Sequence, residues 1–293
     1  MGSIPKTASF WLTQNGLIVR GQETHNPAGF TEETRATREE GDISGFSAAS
    51  RLRLRYTLAR MQPRNSSDVL SGCCLTIPGA IISQERASKI WKTFARNNCR
   101  RKFKEYPIVW RVELQKRGQP HWHLTMYLPA GRAGCEIRYE FGEQWRRFIR
   151  DTLTRSDGCL PWSVETDEGF ELYGVKWKNL RSMESATKYL APELDHESKH
   201  KQEQIGWKGR QWGIINRDAI DLTDWGEPVY LCGDPVGRVI ARFKAAQDAR
   251  RASGRGYVGA GVGEHMRLPS VLFGADADVL ADIVRSELGD ALR

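Results

Sequence analysis

Two runs constrain the fold of this chain most strongly. PIVWRVELQ (107–115) is rich in β-branched and aromatic residues, and HWHLTMYLP (121–129) has the same texture. Only Lys116 to Pro120 separate them, with Gly118 inside the turn. Two such runs around a short glycine-containing loop read as an antiparallel hairpin. Register then decides which side chains share a face. An odd loop centred on Gly118 sets Glu113 opposite His123 and Gln115 opposite His121, with all four pointing the same way. An even loop at Arg117-Gly118 sets Glu113 opposite Trp122, away from the histidines. The odd register is expected, because glycine-containing loops of three or more residues are common in hairpins.

On a strand, His121 and His123 project side by side. Imidazole is the commonest metal-binding side chain. With the Glu113 carboxylate beside the pair, the set suits a divalent cation such as Mg²⁺ or Mn²⁺. A His-x-His pair alone also fits an ordinary sheet surface, so its context carries the weight.

The flanking segments build a sheet around the hairpin. VLSGCCLTIPG (69–79) reads as a buried strand ending in Pro-Gly. Ser83 is placed to cap a helix over 84–97, whose Ala87, Ile90, Trp91 and Phe94 recur at helical spacing. A second amphipathic helix at 139–154 turns Phe141, Trp145, Phe148 and Ile149 to one side. ELYGVKWKNL (171–180) reads as a strand, and SMESATKYLAPE (182–193) as a helix stopped or kinked at Pro192. The order is strand, helix, hairpin, helix, strand, helix. It predicts an α+β fold, a central antiparallel sheet with helices packed on it.

The ends are plainer. Residues 1–45 are polar with little periodicity and read as an irregular lead-in. Residues 46–61 read as a basic helix, with Leu52, Tyr56 and Leu58 among Arg51, Arg53, Arg55 and Arg60. GYVGAGVG (256–263) lacks the Lys-Ser or Lys-Thr of a P-loop, and ADADVLADIVRSELGDAL (275–292) reads as a closing helix. The expected division is a lead-in at 1–68, a central domain at 69–215 and an extension at 216–293.

Composition narrows the function. No apolar run approaches the ~18 residues of a membrane span, and the first residues lack a secretory layout. The six cysteines include no Cys-x-x-Cys pair, so they suggest neither a zinc cage nor a disulfide framework but reduced cytosolic thiols. The net charge of +8 favours an anionic partner, most often nucleic acid. Arg96, Arg100, Arg101, Lys102 and Lys104 form a basic cluster, and ten tryptophans offer rings for stacking on unpaired bases.

These residues carry a family resemblance. ELQKRGQPHWHL (113–124) resembles the second motif of the HUH endonucleases, the rolling-circle replication initiators of plasmids and single-stranded DNA phages, with relaxases and transposases among their relatives. CCLTIPG (73–79) resembles the first motif, with Leu75 and Thr76 in place. SATKYLAP (185–192) resembles the third, a helix with a doubled Tyr-x-x-Lys. KHKQ (199–202) and GRQWG (209–213) resemble the segment after that helix. The resemblance covers roughly half the chain, from about residue 70 to 215.

It implies an RRM- or palm-like sheet and metal-dependent nicking and rejoining of single-stranded DNA at a replication origin. Its implied site is His121, His123 and Glu113 on Mg²⁺ or Mn²⁺, with Tyr189 as nucleophile and Lys188 beside it. Cleavage would pass through a 5′-phosphotyrosine and leave a free 3′-OH primer. Host helicase and polymerase would be partners, no membrane would be involved, and the bacterial host cytoplasm would be the location. Two positions depart from the pattern. Ser185 replaces the first tyrosine, which excludes a two-tyrosine alternation, and Pro192 replaces the second lysine. Lys199, His200 and Lys201 are other cations that could substitute. Competing readings are a relaxase- or transposase-type enzyme, a DNA-binding relative with impaired cleavage, and a metal hydrolase that uses water.

Overall fold

The computed structural model describes residues 7–13, 16–22, 48–78, 82–114, 119–157, 166, 168, 170, 174–190, 210–220, 229–232, 234–253, 271–273 and 275–291. In chain order the elements are β1 (Thr7–Thr13), β2 (Gly16–Gln22), α1 (Ala48–Arg60), β3 (Val69–Thr76), α2 (Gln84–Phe94), β4 (Ile108–Leu114), β5 (Pro120–Leu128) and α3 (Gly131–Asp157). They continue with β6 (Val175–Asn179), α4 (Met183–Leu190), β7 (Trp212–Ile215), β8 (Val229–Cys232), α5 (Asp234–Ala252), β9 (Val271–Phe273) and α6 (Ala275–Ala291). The sequence-predicted α+β plan holds: a five-stranded antiparallel sheet runs β6-β3-β5-β4-β7 with helices on it.

The central hairpin has the expected parity but a shifted pairing. Glu113 opposes His121, and Arg111 opposes His123. Leu114 pairs with Pro120, which centres the connection on Arg117 rather than Gly118. A shift of two residues preserves which side chains share a face, so Glu113 still joins both histidines. Pro120 opens the strand, a position where its missing N–H costs no ladder bond. Gln115, expected opposite His121, lies outside the described residues.

Alternation sends Trp122 to the opposite face from the histidines. There it joins Cys73, Leu75, Trp110, Val112, Leu124 and Met126 under α2 and α3. The helix faces are those the spacing predicts: Ala87, Ile90, Trp91 and Phe94 from α2, and Phe141, Trp145 and Ile149 from α3. Trp91 stacks on Trp122 with ring centroids 5.5 Å apart, and Trp145 meets Trp122 edge-on at 5.7 Å. Trp110 packs across Gly213, where an added Cβ would lie 3.0 Å from the indole nitrogen, a contact that asks the ring to give way. Helix α3 begins eight residues earlier than its apolar stripe suggests; the Arg132–Glu136 ion pair at 2.7 Å lies in that added stretch.

The second face of the sheet is covered by α1 and α4. Leu54, Leu58 and Ala59 of α1 meet Met183, Ala186 and Leu190 of α4, with Leu70, Val109 and Ile18 between them.

The lead-in reading of residues 1–45 is corrected at β1 and β2. These strands pair from Thr7↔Gln22 to Thr13↔Gly16 and join the C-terminal strands in a second antiparallel sheet, β8-β1-β2-β9. Phe10, Leu17 and Val19 pack there against Val236, Val239, Phe243, Leu280 and Val284 of α5 and α6. Both strands are short and flanked by polar residues, which dilutes their apolar pattern in a long window. The Asn15-Gly16 pair is a hairpin signal in the sequence. Pro192, the KHKQ run, Gly209 and GYVGAGVG lie outside the described residues.

Candidate functional site

Three neighbouring strands bring four donor side chains onto one face. The central strand β5 supplies His121 and His123. From β4 comes Glu113, and from β3 comes Cys74, which opposes His123. Glu113 Oε2 stands 2.9 Å from His123 Nε2 and 4.0 Å from His121 Nε2. Cys74 Sγ lies 3.5 Å from His121 Nδ1. The ligand atoms of Cys74, His121 and His123 all fall within 4.8 Å of one another.

The electrostatics suit a cation. Burial, followed by the charge of His123, lowers the His121 pKa, so this imidazole is neutral at neutral pH and keeps a lone pair available. Burial alone would raise the Glu113 carboxyl, but the His123 contact and the charges of His123, Arg111 and His121 hold it well below the usual range. Burial pushes the Cys74 thiol up to about 11, with the Glu113 charge adding to the rise. Both ring nitrogens of His123 are buried without a hydrogen-bond partner, and Nε2 meets the Glu113 carboxylate only in a 2.9 Å ion-pair contact. A buried, unsatisfied polar group is costly. A divalent ion held by the histidines and Glu113 would satisfy it, so these residues fit the metal expected from sequence.

Tyr189 faces this cluster from α4. Its ring meets His123 edge-on, with centroids 4.6 Å apart and planes at 86°. Room for it comes from Gly72 on β3, where an added Cβ would lie 3.4 Å from Tyr189 Cε1 and 3.2 Å from Leu180 Cδ1. Burial raises the phenol above its usual value, and the neighbouring Cys74, Cys73 and Glu113 raise it further.

The helix carrying Tyr189 is fixed at both ends. At its start, Ser182 Oγ accepts from the Ser185 N–H at 3.2 Å, a capping bond that satisfies one of the free donors of the first turn. Ser185, at the first tyrosine position of the motif, therefore belongs to the cap. At its end, the Arg111 guanidinium donates to the Leu190 carbonyl at 3.0 Å. Arg111 is 1% exposed and shares the face of Glu113 and His123. A cation there is favoured by the negative end of the helix dipole.

The other expected residues divide by position. Lys188 lies in α4, and its side chain is outside the described residues. Arg96, Arg100, Arg101, Lys102 and Lys104 are exposed, but they follow α2 on the Trp122 side of the sheet, away from Tyr189. The structure instead places two exposed lysines on the tyrosine's side. Lys176 and Lys178 of the edge strand β6 oppose Cys74 and Gly72. Trp91, Trp110, Trp122 and Trp145 are core residues. Sequence reasoning missed Cys74, Arg111 and the two lysines. For Cys74 the signal was its place two residues before Thr76, on the same side of the first-motif strand.

No helix among the described residues is long and apolar enough to cross a membrane. No curated protein and no solved structure matches the chain. Residues 72–197 match the family model described as replication-associated protein ORF2/G2P. That span holds β3 from Gly72 onward, the hairpin with its two histidines, and α4 with Tyr189.

Proposed function

We propose that the protein initiates rolling-circle replication as an HUH-type endonuclease, nicking and rejoining one DNA strand through Tyr189. The observation that supports this most is the Tyr189 ring set edge-on to His123, on the face shared by His121 and Glu113. In the proposed step the tyrosine oxygen bonds to the scissile phosphorus, and the bond from phosphorus to the 3′ oxygen breaks. The phenolic proton passes to solvent, and the departing oxygen takes one up. The products are a 5′-phosphotyrosine and a free 3′-OH that can prime synthesis. Reversal by that hydroxyl rejoins the strand without ATP, because the number of phosphoester bonds is unchanged.

His121, His123 and Glu113 would hold a divalent cation, Mg²⁺ or Mn²⁺ in the hard-ion reading, which polarises the phosphate as a Lewis acid when bound. The chain's own task is to place the phenol and to ease loss of its proton. Gly72, the Ser182 cap and Arg111 do the placing. Because burial holds the phenol protonated, a cation on its face must favour the phenolate. Lys176 is exposed on that face, and Lys188 precedes the tyrosine. The cluster from Arg96 to Lys104 adds long-range attraction for DNA from the other layer. The partners are single-stranded DNA at the origin of a phage or plasmid and host helicase and polymerase, in the bacterial cytoplasm.

The test uses single-stranded oligonucleotides from the replicon that encodes the protein, with Mn²⁺ or Mg²⁺. The expected result is a 3′ end that a polymerase extends and a 5′ end that carries protein, both abolished by chelator and in His121→Ala/His123→Ala. A free 5′-phosphate without protein would assign the cut to water. Tight DNA binding without any cut would assign the chain to the non-cleaving relatives.

A further inference from the structure

Cys74 stands outside the ligand set that the sequence suggests. Yet β3 flanks β5 on the side opposite to β4, and it brings Thr76 beside His121 and Cys74 beside His123. Its sulfur is 3.5 Å from His121 Nδ1, and the three ligand atoms of Cys74, His121 and His123 lie within 4.8 Å of one another. Donors on one tetrahedral ion, with bonds of about 2.0–2.3 Å, sit about 3.3–3.8 Å apart, so a small closure brings these three onto a single ion. The His123 nitrogens, buried and without hydrogen-bond partners, point to an occupant of this pocket. Glu113 of β4 lies beside this group, 2.9 Å from His123 Nε2, as the nearest carboxylate to a fourth position.

We propose that Cys74 is a metal ligand, and that the centre it forms with His121, His123 and Glu113 selects a thiophilic ion, Zn²⁺ or Co²⁺, over Mg²⁺. The chemistry follows from donor softness. Two imidazoles, one sulfur and one carboxylate form a four-coordinate set suited to Zn²⁺ and Co²⁺. Mg²⁺ demands octahedral oxygen ligands and gives up water reluctantly. The other described thiols do not compete inside the pocket. Cys73 points into the opposite core, Cys99 is buried in that same core just past the end of α2, and Cys135 is exposed on α3. This inference rests on the metal-site part of the proposed function and changes the class of ion.

The test is a Co²⁺ titration of the full chain under anaerobic conditions, without DNA, read by absorption. The expected result is a near-ultraviolet sulfur-to-cobalt charge-transfer band that grows together with the visible cobalt bands. Cys74→Ser should lose the first, keep the second, and bind Zn²⁺ at least about tenfold more weakly while Mg²⁺ affinity changes little. Cys135→Ser should behave as the parent. Visible cobalt bands without charge transfer in the parent, a charge-transfer band retained in Cys74→Ser, or no cobalt binding at all would each overturn the proposal. A cobalt complex lacking sulfur removes Cys74 and leaves the nickase reading standing. A sulfur-bound complex in a protein that never joins DNA supports the ligand and removes the nickase.

Discussion

His121 carries a pH signature that can be measured without substrate. Its folded pKa lies below the ordinary value of 6.5, chiefly through burial. As pH falls through 6.5 the unfolded chain takes up a proton that the folded chain refuses, so the folded state loses stability. Glu113, held below its ordinary 4.5, loses its contribution in the same direction at lower pH. The melting temperature should therefore fall as the solution is acidified from about pH 6.5 towards 5, and His121→Asn should flatten that slope. Gly72 offers a second test. Alanine there asks only a small concession from the mobile end of Leu180, whereas valine presses on the tyrosine ring. Gly72→Val should cost about 1–3 kcal/mol in chemical denaturation and slow adduct formation far more than Gly72→Ala.

The residue scale also shows how far the chain can be read without coordinates. The grouping of Glu113 with both histidines was legible because strand parity survives a shift of two, even though the loop centre did not hold. Cys74 was not legible as a neighbour, because its contact with His121 spans 47 residues and depends on which strand lies beside β5.

Among the elements, α4 decides whether Tyr189 is placed. Its C-terminal carbonyl is tied to a buried guanidinium, and a hydrogen bond to a charged group contributes about 1.5–3 kcal/mol. Arg111→Met should destabilise the protein by about that amount in denaturant titration and lower the adduct rate at saturating DNA. The helix was visible in the sequence as far as Leu190, whereas its anchor was not, since nothing local marks Arg111 as facing it. The edge strand β6 gives a further prediction. If single-stranded DNA crosses the tyrosine's face, Lys176→Ala/Lys178→Ala should weaken binding and reduce the salt slope by about 0.7 for each phosphate no longer neutralised. Arg100→Ala/Arg101→Ala should do less, as read by fluorescence anisotropy at several salt concentrations. A larger effect at the arginines would place the DNA path on the helical layer.

At the scale of the whole molecule, the two ends of the chain support the site from behind. Ile18 of β2 is 0% exposed, within the core that α1 and α4 share, and the terminal sheet packs on α1, which in turn packs on the helix that carries the tyrosine. Ile18→Ala should cost about 2–5 kcal/mol in thermal or chemical unfolding, through reduced burial and a residual cavity. The pairing of Ala8 with Leu231 could not be read from sequence, because β-pairing between distant segments leaves no local pattern. The central sheet was legible for the opposite reason, since a short turn joins its two middle strands and each flanking helix shows its buried stripe.

The central claim is that Tyr189 becomes bonded to DNA, and peptide mapping of the protein–DNA adduct tests it most directly. After digestion of both components, mass spectrometry should find the nucleotide remnant on the peptide that contains Tyr189 and none in Tyr189→Phe, whose fold and DNA affinity stay intact. A remnant on any other residue, or an adduct that survives Tyr189→Phe, would contradict the account.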